Sequence, residues 1–283
     1  MKISVITVNR NNREGLRKTI LSVANQTVKP FEFIVIDGAS SDGSAELLKE
    51  YASVISYSVS EPDGGIYPAM NKGVSHANGD YCIFMNSGDA FSGVDVLEEL
   101  TKSGGDADII CGNAIILEEP PRRKMAPEAI TLGFLYSNSI CHQSALIKTA
   151  LLRQHPYDES LKIVADRKFF LQSLVLEGCS YASVNVDIAD YDISGYSARN
   201  RFASEQEWQR VLQETLPERI LLDYGKNESG PLFGTSAYNR FFVEIGRRNF
   251  RKPVYYLVRS LLSFISIFVP SAQFVRAFPK KTE

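Results

Sequence analysis

Lys2-Ile3-Ser4-Val5-Ile6-Thr7-Val8-Asn9-Arg10-Asn11-Asn12 carries the pattern that decides the fold. Ile3 to Val8 is a short run rich in β-branched residues, the mark of a strand buried on both faces. Asn9 to Asn12 makes a polar turn with helix-cap candidates, and Leu16, Ile20, Val23 and Ala24 then recur at helical spacing. Phe33 to Ile36 reads as a second buried strand ending at Asp37-Gly38, and Ser40 to Ser44 offers caps to a helix carrying Ala45, Leu47, Leu48 and Tyr51. A third strand is predicted at Val54–Val59, a helix at Ala69–Ala77 and a fourth strand at Tyr81–Met85. Strand and helix alternating at this spacing predict a parallel sheet with right-handed crossovers, an α/β fold.

Outward from this block the rhythm loosens. Asp95–Lys102 reads as a helix, Ala107–Leu117 as a strand, and Glu118 to Lys124 as an exposed, Pro-broken loop. A strand is predicted over Ser139–Ile147, a long helix over Ala165–Glu177 and a strand across Tyr181–Tyr191. Beyond Gly195 the pattern is helical over Ala203–Thr215, Phe233–Arg248 and Pro253–Val269. A composition shift near residue 225 divides the chain into 1–225 and a tail, 226–283. The first part divides again into halves 1–105 and 106–225.

Composition narrows the class. The chain has 283 residues, 44% hydrophobic and 23% charged, which excludes disordered, collagen-like and disulfide-scaffold proteins. A net charge of −2 gives the whole molecule no reason to bind nucleic acid. Yet Asn239 to Glu283 holds nine Lys/Arg against two Glu, an excess of +7 that leaves the preceding residues near −9. Cys82, Cys111, Cys141 and Cys179 lie far apart in apolar, strand-like runs, so they read as reduced, buried thiols of a cytoplasmic protein. No leader-like segment opens the sequence, and no stretch reaches the ~18 apolar residues of a membrane span.

In an open parallel sheet, ligands bind beyond the carboxyl ends of the strands. Here those ends are polar in succession: Thr7 and Asn9, Asp37, Glu61-Pro62-Asp63, then Asn86-Ser87-Gly88-Asp89. A single acid at such a place reads as a turn former; four in a row read as the rim of one crevice. The first turn lacks G-x-G-x-x-G, and no G-x-x-x-x-G-K-[ST] follows, which argues against a dinucleotide dehydrogenase and a P-loop ATPase. Carboxylates repel phosphates unless a cation stands between them, and Asp89 offers the hard oxygen that Mg2+ or Mn2+ prefers.

These stretches resemble the family 2 inverting glycosyltransferases of the GT-A fold. The resemblance rests on Thr7-Val8-Asn9-Arg10-Asn11, on Asp37-Gly38-Ala39-Ser40-Ser41-Asp42-Gly43-Ser44 and on Asn86-Ser87-Gly88-Asp89. Ser60 to Tyr67 with Ala69-Met70-Asn71-Lys72-Gly73 is similar to the branch that builds bacterial exopolysaccharides, colanic acid transferases among them. It implies a Rossmann-type, mostly parallel sheet and a nucleotide-sugar donor, UDP-linked by preference, bound by Thr7, Asn9, Asp37, Asp63, Asn71 and Asn86. It implies Asp89 as the last acid of an Asp-x-Asp metal motif holding Mn2+ or Mg2+. The chain departs from that motif, since Asn86 stands ahead of Ser87-Gly88-Asp89, so a single carboxylate is left and the donor's diphosphate is expected to do much of the chelation. Pro68 also stands where that branch more often has an acid.

The half from 106 to 225 is expected to hold the acceptor, a saccharide or lipid-linked saccharide. Asp166, at the start of a predicted helix, matches the family's general base, and a helix N-terminus favours an ionised carboxylate. Read locally, it is equally a first-turn acid complementing the helix dipole. His142, in Cys141-His142-Gln143-Ser144, is expected to contact acceptor or diphosphate, against the plain reading of a hydrogen-bonded core histidine. His76 and His155 read as surface residues. Gly195-Tyr196-Ser197 with Arg199 resembles a loop that closes over the donor, with Arg199 near the departing diphosphate.

In the tail, apolar residues recur at helical spacing from Val254 to Phe268, and Arg247, Arg248, Arg251 and Lys252 precede them. Residues 247–269 read either as a peripheral contact with the inner face of the plasma membrane or as a helix packed on the protein's own core or in a homodimer. Two rival functions stay open on sequence: a non-catalytic nucleotide-sugar-binding scaffold subunit and a sugar-1-phosphate nucleotidyltransferase. The latter would want a basic, glycine-rich loop after the first strand, which Asn9-Arg10-Asn11-Asn12 is not.

Overall fold

Strand β1 (Ile3–Asn9) forms at the first β-branched run, and all seven of its residues are buried. The computed structural model describes residues 1–103, 105–193, 195 and 199–225. After β1 come α1 (Arg13–Ala24), β2 (Glu32–Asp37), α2 (Ser44–Glu50), β3 (Tyr57–Ser60), α3 (Ile66–His76) and β4 (Tyr81–Phe84). The strands lie in the order β3-β2-β1-β4, all parallel, so every carboxyl end in this half reaches the same edge. Asn12 starts α1 by accepting the Gly15 N–H at 3.2 Å.

The remaining elements are β5 (Ala90–Phe91), α4 (Val96–Ser103), β6 (Ile109–Ile116), β7 (Arg122–Lys124) and α5 (Leu132–Ser137). A 3-10 turn (His142–Ser144), β8 (Ala145–Lys148), α6 (Thr149–Gln154), α7 (Ala165–Phe170), β9 (Tyr181–Tyr191), α8 (Arg201–Thr215) and α9 (Glu218–Gly225) complete them. The sheet continues from β4 through β8-β6-β9-β5, with β7 on β6. Here β6 and β9 are parallel, while the pairs β4–β8, β8–β6, β6–β7 and β5–β9 are antiparallel. A parallel half thus joins a mixed half in one α/β sheet.

Ile20, Val23 and Leu47 from the helices pack against Val5, Phe33, Val35 and Ile83 of the strands, all at 1% exposure or less. Burial of each such side chain contributes about 1.5–3 kcal/mol, so the strand edges above this core are firmly placed.

Four local expectations are corrected. The third strand starts at Tyr57 because the N–H groups of Val54 and Ile55 are spent on Tyr51 O, closing α2. Arg122–Lys124 leaves the expected loop to pair with β6. The segment from Ser139 is not strand until Ala145, since a 3-10 turn occupies His142–Ser144. The helix from Ala165 keeps α geometry to Phe170 and widens to a π turn over Leu171–Leu176. All four cysteines are free thiols, but only Cys82 and Cys111 are buried; Cys141 and Cys179 sit half-buried outside strands. His76 is exposed, and His155 is half-buried.

Met1–Val211 forms one compact unit and Leu212–Glu283 a second, of which the described residues carry the end of α8 and α9. The predicted helices at Phe233–Arg248 and Pro253–Val269, and with them the surface contact expected of 247–269, lie outside the described residues. Among the described residues no helix is long and apolar enough to cross a membrane.

Candidate active site

Three acids organise the carboxyl edge. The first, Asp37, ends β2 beside Asn9 of β1 and is fully buried. Its Oδ1 accepts from Asn9 Nδ2 and Ser40 Oγ, both at 2.6 Å; its Oδ2 accepts from Ser40 N at 3.0 Å and Ser60 Oγ at 2.5 Å. Burial pushes this carboxyl up, but the bonds from Ser40, Ser60 and Asn9 outweigh it and hold it below its ordinary value. Asp63 folds over Gly38: a Cβ there would lie 2.6 Å from Asp63 Oδ2 and would push that carboxylate aside.

The second acid is Asp89, 5% exposed. Its Oδ1 accepts from Asp192 N at 2.9 Å and its Oδ2 from Gln143 Nε2 at 3.0 Å. Burial pushes its carboxyl up to about 6. The turn leading to it is tied to α1, with Lys18 Nζ donating to Gly88 O at 2.7 Å and Thr19 Oγ1 to Asp89 O at 2.6 Å. Gly88 takes a φ of +106°, and a Cβ there would stand 3.4 Å from Asp192 Oδ2.

Asp166, the third, is the second residue of α7. Its Oδ2 lies 2.8 Å from His142 Nδ1; its Oδ1 accepts from Arg167 N at 2.9 Å and lies 3.0 Å from Tyr67 Oη. Tyr67 Oη is also 2.6 Å from Ile163 O, so one hydroxyl ties α3 to both the acid and the loop before it. Burial raises this carboxyl, yet His142 and the other donors bring it below its ordinary value, so Asp166 is ionised at neutral pH. The far side of the imidazole meets Asn86, with Nδ2 3.2 Å from His142 Nε2. Asn86 Oδ1 is buried and has no partner. The side chains of His142 and Asp166 are 14% and 16% exposed.

From the far side, α8 holds the loop that delivers Asp166. Glu207 accepts the N–H groups of Lys162, Ile163 and Val164 at 2.8, 2.7 and 3.0 Å. Trp208 lies under the Arg167 guanidinium, 3.8 Å from ring to carbon, and donates to Tyr136 O.

The structure therefore brings together Asn86, His142 and Asp166, and separately Asn9, Asp37 and Asp63. Two expected donor-binding residues are turned to other work. Thr7 has no exposed surface, and its hydroxyl donates to Met85 O at 2.6 Å, because this face of β1 is covered by the core. Asn71 spends its amide on Tyr157 N, Tyr157 O and Glu159, pinning α3 to the loop before α7. Arg199 is exposed and its N–H donates to Gly195 O. Tyr196 and Ser197 lie outside the described residues. Sequence reasoning assigned no role to Tyr67, Gln143, Asp192 or Glu207. Asp192 follows the carboxyl end of β9, so the strand-end rule that found Asp37 also points to it; nothing local marks Glu207.

A parallel half with acids along its carboxyl edge, joined to a mixed half that brings an acid and an imidazole toward it, is the architecture of a GT-A glycosyltransferase. The chain belongs to glycosyl transferase family 2, whose family description matches residues 4–160. It is similar to an uncharacterized glycosyltransferase of Mycobacterium tuberculosis, 33% identical over 200 residues that cover 68% of this chain and 76% of that one. Its fold is similar to that of S. aureus TarS 1-349 in complex with UDP, with a TM-score of 0.60 at 19% identity over 90% of this chain and 78% of that one. It is also similar to the mannosyltransferase PcManGT from Pyrobaculum calidifontis in complex with GDP-Man and Mn2+. There the TM-score is 0.59 at 13% identity, over 98% of this chain and 83% of that one.

The described side chains do not by themselves form a matching metal centre. Among the described residues no three His, Cys, Asp or Glu side chains converge on one point. Asp89, which the resemblance offers as the ligand, has both oxygens committed to N–H donors beneath the surface.

Proposed function

We propose that this glycosyltransferase moves a sugar from a nucleoside-diphosphate donor, UDP-linked by preference, to a saccharide or lipid-linked saccharide with inversion at the anomeric carbon. The reading extends to bacterial surface polysaccharide synthesis of the exopolysaccharide type. One observation carries it: an ionised acid, Asp166, paired with His142 within a family 2 fold. Inversion needs the acceptor oxygen to attack the face opposite the leaving diphosphate while a base takes its proton. The Asp166–His142 pair is where that proton is received. Asn9, Asp37 and Asp63 form the rigid rim on which the nucleoside rests. Arg199 is the side chain we assign to the departing diphosphate. A divalent ion, Mn2+ or Mg2+, enters this reading as a partner of the donor's own diphosphate oxygens, and no step here runs through it.

Thermal stabilisation by UDP, GDP, CDP and dTDP, each with and without Mn2+, tests the donor. A ligand at a hundred times its dissociation constant adds about 2.7 kcal/mol, several degrees for a protein of this size. We expect a shift with UDP. No shift with any of the four overturns the reading, and UDP binding without sugar transfer favours a binding subunit instead.

A further inference from the structure

We propose that His142 Nε2, not Asp166, is the atom that takes the acceptor's proton, with Asp166 orienting the ring and balancing its charge. The inference rests on the transfer reading above and names the base within it.

Three observations carry it. An ionised Asp166 can only accept, so the hydrogen between it and His142 sits on Nδ1 and a neutral ring has its lone pair on Nε2. Asp166 is itself a weak proton acceptor: Oδ2 faces His142 Nδ1, Oδ1 accepts from Arg167 N and lies 3.0 Å from Tyr67 Oη, and each of these donors favours the ionised form over the protonated one. The same acid–imidazole order, with the acid on Nδ1 and Nε2 toward the substrate, makes histidine the base of catalytic triads.

The partner at Nε2 is the third observation. Asn86 Nδ2 donates to the lone pair at a long 3.2 Å, and Asn86 Oδ1 beside it is buried without a partner. An amide is both donor and acceptor. Nδ2 suits the neutral ring, and a half-turn of the amide brings Oδ1 to receive Nε2–H once the ring is charged. A carboxylate at position 86 would instead hold the ring as an imidazolium between two acids, with no lone pair to offer. An amide at Asn86, with no charge of its own, thus leaves the lone pair of a neutral His142 ring available.

The step balances. The acceptor hydroxyl displaces Asn86 Nδ2 from the lone pair and gives its proton to Nε2. Its oxygen bonds to the anomeric carbon as the bond from that carbon to the diphosphate breaks, the electron pair leaving on the nucleoside diphosphate. Asn86 Oδ1 then holds Nε2–H until the proton returns to solvent. The groups acting on this ring's charge are Asp166, from α7, and Asp89, from the turn after β4; Tyr67 of α3 acts through Asp166.

Imidazole nitrogen NMR on the full chain labelled at histidine judges the geometry without any assay. The chain has three histidines, and the His142→Gln spectrum assigns the signal. In the neutral ring we expect the hydrogen on Nδ1; hydrogen on Nε2 overturns the proposal. In transfer assays, His142→Gln should lose about 10²–10⁴-fold in kcat with little change in donor KM. The acid limb of the wild-type pH profile should follow the NMR titration of His142, and Asn86→Asp should move that limb to higher pH. His142→Gln within threefold of wild type, alongside an inactive Asp166→Asn, makes Asp166 the base. Failure of the wild type to bind any nucleoside diphosphate sinks the transfer reading and this role with it, while the tautomer result still stands on its own.

Discussion

His142 Nδ1 lies 2.8 Å from Asp166 Oδ2, and the next residue, Gln143, donates to Asp89 Oδ2 at 3.0 Å. Two consecutive side chains of a single 3-10 turn therefore hold two acids, one on α7 and one in the turn after β4. The turn fixes their separation as a rigid spacer does, and its own seat is β8, paired with β4 and β6.

Gln143→Ala should cost about 1–3 kcal/mol, because Asp89 stays buried with one donor fewer. The loss should depend on pH. Asp89 has a folded pKa of about 6, above its ordinary 3.8, so its contribution is fully present below 3.8 and lost as pH rises through about 6. Without Gln143 the ionised form is less well held, and denaturant melts should show a larger deficit at neutral pH than near pH 3.8.

Tyr67→Phe removes the hydroxyl that joins Ile163 O and Asp166 Oδ1 while keeping the ring packed against Tyr157. We expect about 0.5–1.5 kcal/mol of destabilisation. In turnover, kcat should fall and donor KM should hold, since the hydroxyl touches the acid and not the nucleoside rim. An equal rise in KM would place Tyr67 on the donor instead.

Glu207→Ala leaves three consecutive N–H groups before α7 without their carboxylate. Those amides should exchange with deuterium faster than in the wild type, and kcat should drop although Glu207 lies outside the acid–imidazole pair. Glu207→Gln retains one acceptor oxygen and should fall between the two.

Lys168 Nζ lies 2.6 Å from Asp158 Oδ2 and, with Ser160, holds that carboxyl down to about 2. A depressed acid stabilises the fold above its unfolded value of 3.8 and loses that contribution as pH falls through about 2. The stability gap between wild type and Lys168→Met should therefore be constant from neutral pH down to 3.8 and close below it.

Sequence reasoning reached the fold where the pattern was unambiguous. The runs that became β1, β2 and β4 are short, apolar and bounded by polar turns, so their type and their carboxyl ends could be read directly. Asp37, Asn86 and Asp89 were found at or beside those ends. Thr7 and Asn71 show the limit: a strand buried on both faces does not tell which residue looks toward the crevice, and a helix residue's partner 86 positions away leaves no local mark. The strand expected from Ser139 failed for a related reason, since a short apolar run does not distinguish a strand from a tight turn feeding one. His142 was singled out, but its bond to Asp166 is a meeting of segments 24 residues apart that only the fold creates.

Trp208 is the chain's one tryptophan, fully buried, with the Arg167 guanidinium stacked on its ring one residue from Asp166. The indole fluorescence of the unlabelled protein is therefore a single-site signal from α8, read at the ring on which Arg167 of the acid's helix is stacked. Donor or acceptor binding that shifts α7 changes the cation's seat on that ring, and the protein carries its own optical reporter of the event.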